Sequence, residues 1–293
     1  MDWWIIIITI MSGISFILNG LFLFVLARNK DLVKRKRITY HVANIAVADT
    51  LYGLGCFCLF IILDGNELTN EKLLPPLLMV DVGFLVSQAA VFLMTIERSI
   101  VISKPLIWNE ILPRKRMLLI MLCSWIAVVT SVAVIHYLLV YKNNVREGLI
   151  VLIVVCTLRT ILLLFTAAVN IFIFKTLRKN DGLADSQKST RQLPQAAHHQ
   201  KSMHPKHKAS ILVLLLAVIM IVTCLPNALL VIITYICYVY KLHCNLHANS
   251  TIVALFYILQ NLNFLVNPLV YIWKDRVYRN AFYRTFKIKT AQF

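Results

Sequence analysis

The sequence predicts an all-α fold, a seven-transmembrane helix bundle with a C-terminal amphipathic surface helix. Its 293 residues are 59% hydrophobic with a mean hydropathy of +0.75, which is more apolar surface than a soluble core of this size can bury. The apolar residues form seven runs, each close to the roughly 20 residues that a spanning helix needs. The cations between these runs lie in alternate connections, as they do in a membrane protein with one fixed orientation.

These runs define the first to the seventh span. We expect the bundle to cover residues 1–273, with a flexible loop at 175–208, and a surface helix with a short tail to cover 274–293. No internal repeat is visible, which disfavours transporter folds built from duplicated halves. The predicted spans lie near residues 4–27, 39–62, 76–101, 117–139, 149–174, 209–236 and 251–273.

The orientation follows from the positions of the cations. Of the 30 Lys and Arg residues, 25 lie in residues 28–38, 98–116, 175–208 and after 273. The positive-inside rule makes these segments cytoplasmic, so we expect a multi-pass plasma-membrane protein with its N-terminus outside. The first span then acts as its own signal anchor. The net charge of +17 reflects this topology and does not indicate a nucleic-acid partner.

Two polar segments adjoin the bundle on the cytoplasmic side. Residues 180–208 carry clustered histidines, but without accompanying Cys or acidic ligands we interpret them as a solvated loop and not as a metal site. The histidines are His198, His199, His204 and His207. After the seventh span, apolar residues at helical spacing among cations predict an amphipathic helix on the membrane surface. These apolar residues are Val277, Ala281, Phe282 and Phe286.

Two cysteines flank the third outer connection, whereas the other five lie within apolar runs. Cys237 and Cys244 face an oxidising compartment, so they form either a disulfide or two free thiols. Asn249-Ser250-Thr251 is a candidate glycosylation acceptor on the same side.

Polar residues inside the spans mark candidate sites, because they are costly in hydrocarbon. Asp49 lies near the membrane midplane, and Ser87 lies at mid-depth on the face of the third span that ends in Arg98. With Asn19, Asn263 and Asn267 they form either an inward cluster of oxygen ligands for a small cation such as sodium, or a hydrogen-bond network that packs helices. Pro226 and Pro268 each remove a backbone hydrogen bond and predict kinked helices beside this cluster.

A second pair of charges lies in the outer half of the bundle. Asp81 is 17 residues before Arg98, about 25 Å outward along the helix, and Arg159 lies at similar depth in the fifth span. Either the two pair with each other, or they line a pocket that binds a charged or zwitterionic ligand with Gln88 and Gln260.

Six short motifs lie in the spans or directly beside them. They are Asn19; Ala46-Val47-Ala48-Asp49; Glu97-Arg98-Ser99 followed by Pro105-Leu106; Trp125; Cys224-Leu225-Pro226; and Asn267-Pro268-Leu269-Val270-Tyr271. With these motifs the chain resembles the rhodopsin-like (class A) G-protein-coupled receptors over essentially its whole length.

The resemblance implies a receptor for an extracellular small-molecule, lipid or peptide ligand that activates a heterotrimeric G protein. Arg98, held by Glu97 in the inactive state, is then released toward Tyr271 as the sixth helix swings outward, and Leu106 inserts into the G protein. Cys224, Pro226, Asn267 and Pro268 belong to the same switch. The resemblance also implies an allosteric sodium ion at Asp49, Ser87 and Asn263, with Asn19 beside them, and no other cofactor.

The chain departs from the family pattern at several positions. Cys224 stands where the family has a tryptophan, Met220 replaces an aromatic residue, and Asn170 replaces a tyrosine. The chain also lacks the two cysteines that form the family's usual disulfide at the third helix. Lys206 or a neighbour replaces an acid that pairs with the arginine in some relatives, so basal activity is expected to be raised. Shared absences suggest the melanocortin, cannabinoid, lysophospholipid and adenosine receptor group.

Other classes of function remain open. A transporter would use Asp49 and Arg159 as ion or proton steps, and a non-signalling seven-helix partner protein would fit the altered switch residues. The seventh span has no lysine for a retinal Schiff base, which excludes light sensing. No residues with catalytic or metal-site spacing share one membrane depth, so the chain is not expected to be an enzyme.

Overall fold

The computed structural model describes residues 3–35, 37–64, 70–138, 145–190, 204–239 and 250–287. Within these ranges the chain folds entirely into helices joined by short turns. The helices are α1 (Trp3–Arg28), α2 (Lys30–Arg35), α3 (Ile38–Asp64), α4 (Asn70–Ser103), α5 (Trp108–Ile111), α6 (Arg114–His136), α7 (Val145–Thr190), α8 (His204–Val239), α9 (Ser250–Lys274) and α10 (Arg276–Thr285).

Seven of the described helices are long and apolar enough to cross a membrane, which confirms the predicted fold class. In chain order they are α1, α3, α4, α6, α7, α8 and α9. The amphipathic helix is also present, as α10. The sequence did not indicate α2 and α5, which are short helices in the connections after the first and third spans.

The third span, α4, is the centre of the bundle, because it packs against α3, α6, α7 and α8. Helix α1 packs against both α3 and α9, and α9 packs against α8. Aromatic side chains fill the middle, with the Tyr52 and Phe264 rings stacked at 3.7 Å between centroids and Phe84 beside them. Outward-facing positions are apolar as well, as expected for helices that meet lipid: Leu158 is 60% exposed and Val222 is 59% exposed.

Two helices extend further than the sequence predicts. Helix α7 continues to Thr190 and α8 starts at His204, so helix replaces much of the predicted loop at 175–208. Helix propagation adds a hydrogen bond per residue once a span has nucleated it, and polar residues such as Lys179 and Gln187 are good helix formers. The remainder of that loop, with His198 and His199, lies outside the described residues.

Candidate functional site

A buried carboxylate, Asp49, lies between α3, α4 and α9. Ser87 Oγ donates a hydrogen bond to Asp49 Oδ1 at 2.6 Å, and Asn267 Nδ2 donates to Asp49 Oδ2 at 2.8 Å. Helices α3 and α4 approach closely at this level, because a Cβ atom at Gly83 would lie only 2.6 Å from the carbonyl oxygen of Ala48. Only glycine fits at this crossing, one turn from Ser87.

Two further amides bring unused oxygens to the same part of the bundle. Asn19 Nδ2 donates to the carbonyl oxygen of Phe264 at 2.9 Å, which ties α1 to α9. The Oδ1 atoms of Asn19 and Asn263 are buried without a hydrogen-bond partner. Within the described ranges Asp49 has no cationic partner. Carboxylate, hydroxyl and amide oxygens are the donors that small hard cations prefer, so these side chains fit such an ion.

Near the C-terminal end of α4, Glu97 contacts His41 of α3 and Arg37, which directly precedes that helix. Its Oε1 atom is 3.0 Å from Arg37 Nε, and its Oε2 atom is 2.5 Å from His41 Nε2. The three side chains are almost completely buried. Both contacts are ion pairs by distance, the second when His41 is protonated, but neither has the angles of a hydrogen bond. We call these three residues the Glu97 cluster.

The resemblance implies that Glu97 holds Arg98 in the inactive state, which stays a prediction; in this structure the Glu97 carboxylate contacts Arg37 and His41. Among the described residues Arg98 makes no ion pair, and its Nε atom is buried without a hydrogen-bond partner. Glu97 still attracts Arg98 electrostatically, but its two oxygens are directed to Arg37 and His41. The physical reason is geometric, because adjacent residues of a helix point in different directions and Glu97 faces α3.

Arg37 also joins this end of the bundle to the connection that follows α4. Its Nη2 atom donates to the carbonyl oxygen of Leu112, and its Nη1 atom donates to Asn109 Oδ1 at 3.4 Å. Its guanidinium lies 4.8 Å from the centre of the Trp108 ring. Burial lowers the pKa of Arg37, and the Glu97 carboxylate opposes that shift. Arg37 therefore holds α5 and the start of α6 against the bundle.

The other predicted switch residues differ in exposure. Leu106 is 93% exposed in the connection after α4, where a partner protein can reach it. Tyr271 is fully buried, with its ring 5.1 Å from that of Phe22, and its hydroxyl has no hydrogen-bond partner. Cys224 is also fully buried.

The C-terminal helix α10 is fixed to the bundle by Tyr278. The hydroxyl groups of Tyr278 and Thr39 share a hydrogen bond at 3.1 Å. Burial raises the pKa of Tyr278. Asp275 caps the start of this helix, and its carboxylate accepts a hydrogen bond from the backbone N–H of Val277 at 2.9 Å.

Both predicted prolines lie inside helices, Pro226 in α8 and Pro268 in α9. Next to Pro226, Asn227 Nδ2 donates a hydrogen bond to Gln260 Oε1, which links α8 to α9. Gln260 is therefore bonded to a neighbouring helix, and its predicted ligand-binding role stays a prediction.

In the half of the bundle away from Arg98, the two predicted charges do not pair with each other. Asp81 Oδ2 lies 2.9 Å from His136 Nε2 of α6. The guanidinium carbon of Arg159 lies 3.9 Å from the centre of the Phe84 ring, and its Nε and Nη2 atoms are buried without a hydrogen-bond partner. Both amide atoms of Gln88 are likewise buried and unpaired.

Comparison with known families supports what this geometry indicates. The family model for the seven-transmembrane receptors of the rhodopsin family matches residues 18–271. The chain belongs to the rhodopsin family of receptors. A search of curated protein sequences finds no significant match. Membership implies coupling to a G protein and an extracellular ligand, and it confirms that this receptor is not an enzyme.

Sequence reasoning missed three residues of the receptor's charged regions: Arg37, His41 and His136. Arg37 lies in a basic run that was interpreted only through the positive-inside rule. His41 lies four residues further, about one helical turn, and this spacing was the available signal. By contrast, Trp125 of the fourth span lies where the family motif implies, and its Nε1 atom donates to Asn44 Oδ1 at 2.8 Å.

The predicted features of the third outer connection are only partly described. Cys237 is disulfide-bonded. Its predicted partner Cys244 and the glycosylation candidate Asn249 lie outside the described residues, so the pairing and the modification stay predictions. The likeness to a particular receptor subgroup also stays a prediction.

Proposed function

We propose that this protein is a plasma-membrane receptor that converts the binding of an extracellular ligand into nucleotide exchange on a heterotrimeric G protein. Its N-terminus lies outside, and the end of the bundle that carries Arg98 faces the cytoplasm, as the distribution of cations indicates. The melanocortin, cannabinoid, lysophospholipid and adenosine receptors are the relatives that we propose for it.

The observation that carries the proposal is the state of Arg98. Glu97 is engaged by Arg37 and His41, whereas Arg98 has no ion pair within the described residues. A buried arginine without an ion pair is costly unless another group supplies the negative charge. A G protein that enters a cavity at this end supplies that partner.

We propose that the cavity opens when α8 moves outward. Arg98 then turns toward Tyr271, whose buried hydroxyl lacks a partner in the closed bundle. Pro226 and Pro268 provide points of bending, and Asn267, which bonds to Asp49, couples α9 to the centre. In α8, Cys224 takes the position of the family's usual tryptophan. The side chain that moves there during activation is therefore smaller than in most relatives. Exposed Leu106 contacts the G protein.

The centre and the outer half complete the proposed mechanism. Asp49, Ser87, Asn19 and Asn263 hold a sodium ion that stabilises the closed bundle. The ligand binds in the outer half at Arg159 and Gln88. Asp81 and Gln260 contribute to the same site, where Asp81 contacts His136 and Gln260 contacts Asn227.

Nucleotide exchange on purified G proteins tests this function. The receptor in lipid nanodiscs is mixed with heterotrimers of each Gα class, and the binding of a non-hydrolysable GTP analogue is followed. Because Arg98 is not tied to Glu97, we expect ligand-free receptor to accelerate exchange on at least one heterotrimer, and Arg98→Ala to abolish the acceleration. Equal exchange with folded wild type, with Arg98→Ala and with empty nanodiscs contradicts the proposal.

A further inference from the structure

Arg159 is a buried charged residue of the outer half that lacks hydrogen-bond acceptors. Its guanidinium lies against the Phe84 ring, and two of its three nitrogens are buried without a hydrogen-bond acceptor. A cation–π contact contributes about 0.5–2 kcal/mol, which is less than the several kcal/mol that desolvation of a charged group costs. The arginine is therefore not balanced by its aromatic neighbour alone.

Asp81, the acidic residue predicted to neutralise the charge of Arg159, contacts another residue. Asp81 contacts His136 at 2.9 Å and lies outside ion-pair distance of Arg159. No other carboxylate in the described part of the chain forms an ion pair with Arg159. The positive charge of Arg159 therefore has no ion-pair partner among the described residues.

A second unpaired group lies beside the arginine. Gln88 is one turn from Phe84 on α4, is almost completely buried, and has both amide atoms unpaired. Residues four apart share a helix face, and the Arg159 guanidinium lies over the Phe84 ring, so Gln88 lies on the face of α4 that Arg159 contacts. Their free N–H groups come from α4 and α7, and both are donors.

We propose that Arg159 and Gln88 bind the carboxylate of a monoanionic ligand with an apolar or aromatic body. This inference rests on the receptor function proposed above and names the chemical class of its ligand. The fork of a guanidinium matches the two oxygens of a carboxylate. One cation balances one negative charge, which favours a carboxylate over a doubly charged phosphate. The aromatic cluster of Phe84, Tyr52 and Phe264 adjoins the site and favours an apolar body.

Thermal unfolding of the purified receptor, without any G protein, tests the inference. The probes are ω-phenylalkanoates from phenylacetate to 8-phenyloctanoate, each compared with its uncharged amide and with the amine of the same length. At least one acid is expected to raise the unfolding temperature more than its amide does, whereas the amine does not raise it. If no acid exceeds its amide, the proposal is wrong.

Substitutions at Arg159 locate the effect. Arg159→Met is expected to weaken the apparent affinity for the best acid by about tenfold to a hundredfold, the range for a charge-assisted hydrogen bond. Arg159→Lys keeps the charge without the fork and is expected to lie between wild type and Arg159→Met. Arg178→Met, the same substitution at an exposed position of α7, is the matched control and should leave the affinity for the acid within about twofold, as expected for a surface substitution.

The unfolding temperature without probe provides a second, independent readout. Because Arg159 has no ion pair to lose, Arg159→Met is expected to raise the unfolding temperature of the ligand-free receptor. A lower unfolding temperature together with unchanged affinity for the acid shows a structural role and overturns the proposal. Failure here leaves the nucleotide-exchange result unaffected, because neither readout involves the G protein.

Discussion

The receptor has two regions of buried charge, and they are built in opposite ways. In the Glu97 cluster, one carboxylate meets Arg37 and His41, and Arg37 in turn bonds to the connection after α4. Around Arg159, in the other half of the bundle, buried donors face no acceptor among the described residues. In the first region the buried charges form ion pairs by distance, whereas Arg159 has no ion pair among the described residues. This difference underlies our proposals that the first region maintains the fold and that the second binds the ligand.

Glu97→Gln is expected to have the largest effect on stability, because it removes the anion of the complete region. Arg37 then keeps its charge in a buried site without a counterion, which costs about 3–5 kcal/mol. Chemical unfolding of the purified receptor measures the change. Arg37→Met combined with Glu97→Gln removes both charges and should recover part of the loss. Wild-type stability in Glu97→Gln alone would show that the cluster is not a stabilising unit.

Gly83→Ala tests the close approach of α3 and α4 that connects the two regions. The new Cβ would lie 2.6 Å from the Ala48 carbonyl oxygen and 2.6 Å from the Tyr52 backbone nitrogen, so the helices must separate. Overpacking of this kind costs about 1–3 kcal/mol. Gly20→Ala is the control, because a Cβ there has no heavy atom within 4 Å. Equal unfolding temperatures for the two variants would contradict the described contact.

Asp49→Asn tests the centre, where the carboxylate has two hydrogen-bond donors but no described cation. If Asp49 holds sodium, saturating sodium chloride should stabilise the wild type by about 1–3 kcal/mol relative to equimolar choline chloride, as a bound ligand does through mass action. The variant should show no such difference. A salt response that is the same in both proteins, or equal for both salts, removes the sodium site.

Asp81→Asn is expected to have the smallest effect. The Asp81 side chain is half exposed in its contact with His136, and exposed pairs contribute about 0–1 kcal/mol. The unfolding temperature should therefore change little. A loss as large as that of Glu97→Gln would show that the outer half is also held together by charge pairs, and the contrast between the two regions would disappear.

Much of the fold followed from the sequence because hydrocarbon enforces it. A run of about 20 apolar residues in lipid satisfies its backbone only as a helix, so the seven spans were predicted in order. Helix ends in water carry no such constraint, which is why the extension of α7 to Thr190 was not predicted. The short helix α5 depends on tertiary contacts to Arg37, which no local pattern reveals.

The sequence predicted which charged residues form the sites but not which residues they contact. The sequence singled out Glu97, Arg98, Asp81 and Arg159 because charge in a span is costly. It could not assign their contacts, since Arg37 and His41 approach Glu97 from another helix. Side-chain direction on neighbouring helices decides such pairing, and spacing along a single helix does not contain it.

The central claim, that outward movement of α8 makes Arg98 available to a G protein, is tested most directly by a distance measurement. Spin labels at the exposed positions Leu118 on α6 and Ile211 on α8, with exposed Cys123 replaced by serine, report the separation of the two helices at the Arg98 end. Nucleotide-free G protein is expected to shift the distances to longer values in wild type but not in Arg98→Ala. An unchanged distance in a wild-type complex that has formed would contradict the account.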